Sequence, residues 1–265
     1  MKKLMTVAAT ALCATVFANT GVESSNIVGY NTIEVESGKW YLLAPQFEDV
    51  SNAGQATIDL LKTLKATGLV AQTYANRASA SQIQVYNPQT MGYSYWYYCK
   101  SGSGDATVSQ WRSSPAVPAS FPVNVGCGIW LRVGDVESTG ATITFNGQVK
   151  TADSFTINVG GDNGEWNIIA NPYPVPLTLN MLTTEGLTAQ TYANRVNASQ
   201  IQVYNPATEG YTYWYYCKSG SGDAAVSQWR SSPGVPAETT QVVGVGGAFW
   251  IKAKEAGTLT FTLNK

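Results

Sequence analysis

The chain contains no histidine. That absence removes Ser-His-Asp and Cys-His catalysis, histidine-ligated metals and imidazole pH switches. Charge is scarce as well. Asp, Glu, Lys and Arg make up 12% of the 265 residues, about half the usual share of roughly 25%. The formal net charge of -1 leaves no basic footprint for nucleic acid. No Gly-rich phosphate loop follows a strand. A glycosidase needs two facing carboxylates. In the best-matched part of the chain the only acid shared by both copies is Asp105, answered by Asp223, while Glu137, Glu165, Glu185 and Glu209 have no counterpart and read as surface charges. Neither the Gly-Ser-Gly-Asp loop ending at Asp105 nor Asp162-Asn163-Gly164-Glu165 carries the several spaced acidic oxygens of an EF-hand loop. No catalytic centre, no metal site and no cofactor are expected.

Long apolar runs are also missing after the first residues. Met1-Lys2-Lys3 is basic, residues 4–17 are apolar or small, and Val16-Phe17-Ala18 presents small residues at the positions a signal peptidase reads. This is the pattern of an export signal, too short to span a membrane. Cys13 does not make it a lipoprotein leader, because Leu12 stands where a lipid-attachment box wants a small residue. Cleavage is expected after Ala18, with no transmembrane segment in the mature chain and an extracellular, periplasmic or cell-surface location. The mature chain then keeps Cys99, Cys127 and Cys217. An odd count means at least one thiol that is free, buried or paired between chains.

What is present is a repeat. Residues 71–115 align with 189–233 at a constant offset, and 39 of those 45 positions are identical. Looser matches flank the block. Trp40-Tyr41-Leu42-Leu43-Ala44 answers Trp166-Asn167-Ile168-Ile169-Ala170, and Gly128-Ile129-Trp130-Leu131-Arg132 answers Ala248-Phe249-Trp250-Ile251-Lys252. All 8 Trp fall into matched pairs. Each unit is of ordinary domain size, so the expected organisation is a leader over 1–18, one β domain over 19–150 and a second over 151–265. Runs rich in β-branched and aromatic residues, separated by Gly, Asn, Pro and Ser clusters, predict strands at 27–35, 40–44, 82–86, 92–99, 128–133 and 141–149. Helical spacing of Ile58, Leu61 and Leu64 predicts one short helix over 57–64, with a counterpart over 177–182. The fold class expected is all-β: two tandem β-sandwich-like domains, each with one short helix.

The aromatic strand Tyr93-Ser94-Tyr95-Trp96-Tyr97-Tyr98 alternates faces. One face takes Tyr93, Tyr95 and Tyr97 and the other takes Trp96 and Tyr98; the second copy repeats this with Tyr213 and Trp214. Rings in this pattern either pack a half-buried sheet or offer flat surfaces to the C–H faces of sugars. Trp111-Arg112 and Trp229-Arg230 follow a Ser/Gly-rich loop. Their arginines can stack on a ring or tie down the loop. The ligand-binding candidates are therefore Tyr95, Trp96, Trp111, Arg112, Tyr213, Trp214, Trp229 and Arg230. Polysaccharide or other envelope proteins are the partners expected.

Asn26-Ile27-Val28-Gly29-Tyr30, Trp40-Tyr41-Leu42-Leu43-Ala44-Pro45-Gln46-Phe47, Gln84-Val85-Tyr86-Asn87, Gly128-Ile129-Trp130-Leu131-Arg132 and Ile143-Thr144-Phe145-Asn146-Gly147 together resemble uncharacterised exported tandem β-repeat proteins of planctomycete–verrucomicrobe-type bacteria. The resemblance covers both units from about residue 26 onward. It implies a secreted or envelope protein and transfers no site residue. The reading is of a secreted, non-enzymatic β-repeat protein acting as a structural or interaction module, with a glycan-binding module as the alternative.

Export makes a direct prediction. Mass spectrometry of the secreted or periplasmic protein should find a chain beginning at Asn19; a product retaining Met1 would contradict the leader.

Overall fold

The computed structural model describes residues 28–50, 54–101, 108–116, 118, 120–135, 140–150, 152–219 and 226–263. The leader, Asp105, Asp223 and Glu137 lie outside the described residues. The first repeat runs β1 (Val28–Val35), β2 (Trp40–Leu43), β3 (Thr57–Asp59), α1 (Leu60–Thr63), β4 (Leu64–Thr67), β5 (Gln82–Asn87), β6 (Gly92–Ser101), β7 (Val108–Arg112), β8 (Pro122–Asn124), β9 (Ile129–Arg132) and β10 (Ala141–Gln148). The second repeats that order as β11 (Ser154–Val159), β12 (Trp166–Ala170), β13 (Leu177–Thr178), β14 (Leu182–Glu185), β15 (Gln200–Asn205), β16 (Gly210–Ser219), β17 (Val226–Arg230), β18 (Gln241–Val243), β19 (Ala248–Lys252) and β20 (Gly257–Thr262). The fold is all-β with a few short helical turns. Among the described residues no helix is long and apolar enough to cross a membrane.

In each repeat a three-stranded sheet and a five-stranded sheet enclose one apolar cluster. The orders are β1-β10-β4 with β2-β9-β5-β6-β7, and β11-β20-β14 with β12-β19-β15-β16-β17. Alternation explains why. In β10, Ala141, Ile143 and Phe145 are buried, while Thr142, Thr144 and Asn146 between them are half-buried. Ile143 and Phe145 join Ile83, Trp96, Ile129 and Leu131 of the facing sheet in the first core. Phe249, Ile251, Leu259 and Phe261 occupy the corresponding places in the second.

The expected helix over 57–64 shrinks to the single turn α1. Thr57 and Ile58 are β-branched and pair instead with Asn124 and Val123, which suits their extended preference. Asp59 starts the turn: its Oδ1 accepts from the Leu61 N–H at 3.1 Å and from the Phe121 N–H at 2.8 Å. In the second repeat a 3-10 turn, Leu179–Met181, takes its place.

A third apolar cluster joins the repeats. It contains Leu42, Ala44 and Trp130 of the first, and Ile168, Ala170, Ala248 and Trp250 of the second. The contacts are reciprocal. The Ala44 N–H donates to the Gly246 carbonyl at 2.8 Å, and the Ala170 N–H donates to the Gly126 carbonyl, also at 2.8 Å. Leu43 bridges to Gly247 as Ile169 bridges to Cys127. Equivalent residues exchanging equivalent bonds define a local two-fold axis, the isologous pattern of a symmetric dimer built into one chain. Gly126 and Gly246 have φ of +82° and +70°, and a Cβ on Gly126 would stand 2.6 Å from Phe155 of the other repeat. Only glycine combines that conformation with that approach.

Close to the axis, Gly128 faces its own counterpart. A Cβ on Gly128 would lie 2.5 Å from the Ala248 Cβ and 2.6 Å from Ile168. Gly128→Ala should therefore destabilise the protein by about 1–3 kcal/mol. Ala248→Gly in the same chain should recover part of that loss, because the two sites share one clash. Thermal denaturation of the two single variants and the double variant reads both effects; additive losses would show that the residues do not meet.

Candidate functional site

The five-stranded sheets present opposite faces to different surroundings. In β6 the inward residue is Trp96, stacked on Phe121 with ring centroids 3.8 Å apart. Tyr93, Tyr95 and Tyr97 point the other way, and their register partners on β5 are Tyr86, Gln84 and Gln82. Trp40, Trp130 and Arg132 complete this outer face, since Trp130 pairs with both Leu42 and Gln84. β16 and its neighbours repeat the arrangement with Tyr211, Tyr213, Tyr215, Gln202, Trp250 and Trp166.

Burial sorts the eight candidate residues. Trp96, Trp111, Arg112, Trp214, Trp229 and Arg230 all lie inside, none more than 9% exposed. A ligand surface needs access, so these six belong to the scaffold. The cause is register. Tyr98 pairs with Trp111 and Tyr216 with Trp229, which turns both indoles to the core side, where they meet those tyrosines at 5.3 and 5.1 Å. Arg112 Nη1 donates to the Pro115 carbonyl at 2.8 Å, and Arg230 Nη1 to the Pro233 carbonyl at 3.2 Å. Both arginines fix the chain after their strand. Tyr95 and Tyr213 remain at the surface, 43% and 41% exposed.

Around Tyr95 and Tyr213 the outer faces form two matching hollows. The first, about 310 Å³, is lined by Trp40, Gln84, Tyr93, Tyr95, Trp130 and Tyr204, with Tyr211 and Trp250 on its far wall. The second, about 300 Å³, is lined by Tyr86, Trp166, Gln202, Tyr211, Tyr213 and Trp250. Both are at the small end of ligand pockets. Each contains a ring from the other repeat: Tyr204 meets Trp130 at 4.9 Å, and Tyr86 meets Trp250 at 4.8 Å, both edge to face. Trp40 and Trp166 stand edge-on to Trp130 and Trp250 at 6.1 and 5.9 Å. Sequence reasoning missed Trp40, Trp130, Tyr204 and their counterparts, although the pairing of all 8 Trp between repeats pointed to them.

Farther out, Tyr95 and Tyr97 have nearly parallel rings 6.4 Å apart. Arg77 lies over Tyr97 and Tyr74, at 5.6 and 4.7 Å, and donates to the Tyr74 carbonyl at 3.1 Å. Tyr213, Tyr215, Arg195 and Tyr192 form the same column. The cation–π contacts hold the outer rings upright.

The lining is uncharged. Arg132 beside the first hollow is paired with Asp135, and Lys252, whose Nζ is 5.0 Å from the Trp166 ring centroid, is paired with Glu165 at 3.4 Å. Burial pushes the Tyr93 phenol up to about 12, against the smaller opposite pull of the Trp130 indole N–H. Burial also raises Tyr86, Tyr204 and Tyr211. These hydroxyls stay neutral at physiological pH and can both donate and accept hydrogen bonds.

Elsewhere the chemistry is quiet. Cys99, Cys127 and Cys217 are free, and burial raises all three thiols, Cys127 to about 11. A raised thiol is a poor nucleophile. Among the described residues no group of three metal-ligating side chains could hold a metal. Another hollow, about 380 Å³, lies in the second repeat between β14 and β17, beside Tyr216 and Trp229. Its lining is mixed, with Asn180, Thr183, Thr184, Ser227 and Glu238 beside Leu179, Leu182 and Trp229. The aromatic hollows, repeated across the axis, are the better-defined site.

Comparison with protein families, with curated proteins and with solved structures finds no match to this chain.

The raised phenols carry a pH signature. Four interface tyrosines bind their protons more tightly folded than unfolded, where the pKa is about 10. The folded state then holds more protons above that pH, so stability falls as pH rises. The melting temperature should be steady between about pH 6 and 8 and fall toward pH 12, the buried thiols contributing from about pH 8.5 and the phenols from about pH 10. Tyr93→Phe should weaken that drop. A melting temperature independent of pH in this window would remove the buried-phenol account.

Proposed function

We propose that this chain is an exported, non-enzymatic β-repeat protein that works at the cell envelope or outside the cell as an interaction module. Its working surface is the aromatic strip astride the local two-fold. The observation that carries this reading is the pair of equal, uncharged, ring-lined hollows brought side by side by the docking of the repeats. Exposed aromatic patches of this kind mark interaction sites more often than idle surface.

A glycan is the ligand class this surface suits. Ring faces match the C–H faces of sugars, while phenol and amide groups meet hydroxyls. Gln84 and Gln202 supply the amides. Export, inferred from the leader, would place the strip where envelope and extracellular polysaccharides are found.

Affinity electrophoresis through immobilised polysaccharides tests the proposal. Tyr95→Ala and Tyr213→Ala remove exposed rings and should leave the melting temperature nearly unchanged, within about 0.5 kcal/mol of stability. Each should reduce retention by about fivefold, the equivalent of ~1 kcal/mol of ring contact. Trp96→Ala should instead destabilise the fold by about 3–5 kcal/mol. Retention unaffected by either tyrosine substitution would displace the strip as the working surface.

A further inference from the structure

The two hollows are not independent. Tyr211 and Trp250 line both, so the strip is continuous across the axis. We propose that it is one two-fold-symmetric site for a single strand of a neutral, unbranched β-linked hexopyranose polysaccharide. This inference rests on the glycan reading above and adds the chemistry, length and stoichiometry of the ligand.

Three features select that class. First, the lining holds aromatic rings and two amides, and the bordering cations Arg132 and Lys252 are each paired with a carboxylate. Within either lining, an acidic polysaccharide or a nucleic acid would find no cation to replace its counterions. Second, the exposed tyrosines and the two amides come from inner strands whose main-chain groups are already paired on both sides: β5 lies between β9 and β6, β6 between β5 and β7, and β15 and β16 are placed alike. A peptide binding by strand addition needs a free edge, and beside Tyr95 and Tyr213 there is none. Third, the symmetry constrains the ligand. A polysaccharide strand has a direction, and a two-fold axis across the strip presents the two hollows to it in opposite senses. Both can be used only if recognition ignores direction.

Ring stacking meets that requirement. When a β-1,4-linked hexopyranose carries equatorial hydroxyls, each sugar shows C–H groups on both faces, and an extended strand is a flat ribbon. Tyr95 with Trp40 on one side, and Tyr213 with Trp166 on the other, then meet similar apolar surfaces whichever way the strand runs. Gln84 and Gln202 each donate and accept, so their bonds to sugar hydroxyls also survive reversal. A short ligand fills one hollow, whereas a long one fills both and gains from the second contact being intramolecular.

Isothermal titration of the intact mature protein decides this, with cellobiose, cellohexaose, glycogen and polygalacturonate as probes. Cellobiose should bind weakly at two equivalent sites per chain. Cellohexaose should bind at one site per chain, tighter by about 100-fold. Tyr95→Ala and Tyr213→Ala, each with an unchanged melting temperature, should each weaken cellohexaose by the same factor, about fivefold. Cellohexaose bound at two sites with the affinity of cellobiose would overturn the continuous site while leaving the glycan reading standing. Tighter binding of glycogen or polygalacturonate would overturn the flat, neutral ribbon. Failure of every saccharide to bind would overturn the glycan reading itself, and this inference with it.

Discussion

Trp130 lies edge-on to Tyr204, and Trp250 lies edge-on to Tyr86, at 4.9 and 4.8 Å. These two crossings, with the paired hydrogen bonds of Ala44 and Ala170, hold the repeats together. Inter-domain interfaces are ordinarily polar and permit relative motion unless they are large and hydrophobic. Here the junction is an apolar cluster in which Ala44, Ala170 and Ala248 are buried, and main-chain bonds cross it in both directions. Orientation is therefore set at atomic range. Every later feature follows from it: each hollow takes one wall from the other repeat, so neither would be complete in a repeat standing alone.

The same docking explains how one sheet face serves two purposes. Near the axis the outer face of each five-stranded sheet is covered by the other repeat, and Trp130 and Trp250 are 8% and 9% exposed. A few residues away along the same face, Tyr95 and Tyr213 meet solvent. The rings between them change gradually from buried contact to open surface. That gradient needs no special residue. It results from a two-fold axis placed off-centre on two aromatic sheets.

Much of the fold was legible because alternation and β-branching are local. Strands expected at 82–86 and 92–99 occur as β5 and β6, and the face assignment of Tyr95 against Trp96 follows from the period of two. The helix over 57–64 was overextended because Leu61 and Leu64 fit helical spacing while Thr57 and Ile58 prefer the strand pairing they make with β8. For Trp111 and Trp229 the sequence left both a core and a surface role open, for a different reason. Their orientation depends on the pairing of β7 with β6 and of β17 with β16, and no short-range pattern specifies that register. The docking itself left one trace. Trp40-Tyr41-Leu42-Leu43 and Trp166-Asn167-Ile168-Ile169 put large apolar side chains on both faces, as strands covered on both sides do. A sandwich covers one face, so the second cover had to come from elsewhere.

The pattern of difference between the repeats bears on the strip. Within the matched block, the described positions that differ are Ala78/Val196, Ser79/Asn197, Gln89/Ala207, Met91/Glu209 and Ser94/Thr212, and all are exposed in both copies. None lines either hollow. Buried identity is expected, since close-packed cores feel each added methylene. Exposed identity is not confined to the strip: Thr73, Asn76, Asn87 and Lys100 match Thr191, Asn194, Asn205 and Lys218, are exposed in both copies, and lie outside both hollows. The identity therefore marks the whole block, and what distinguishes the strip is geometry: the docking of the repeats is what brings the matched rings of Tyr95 and Tyr213 onto one surface.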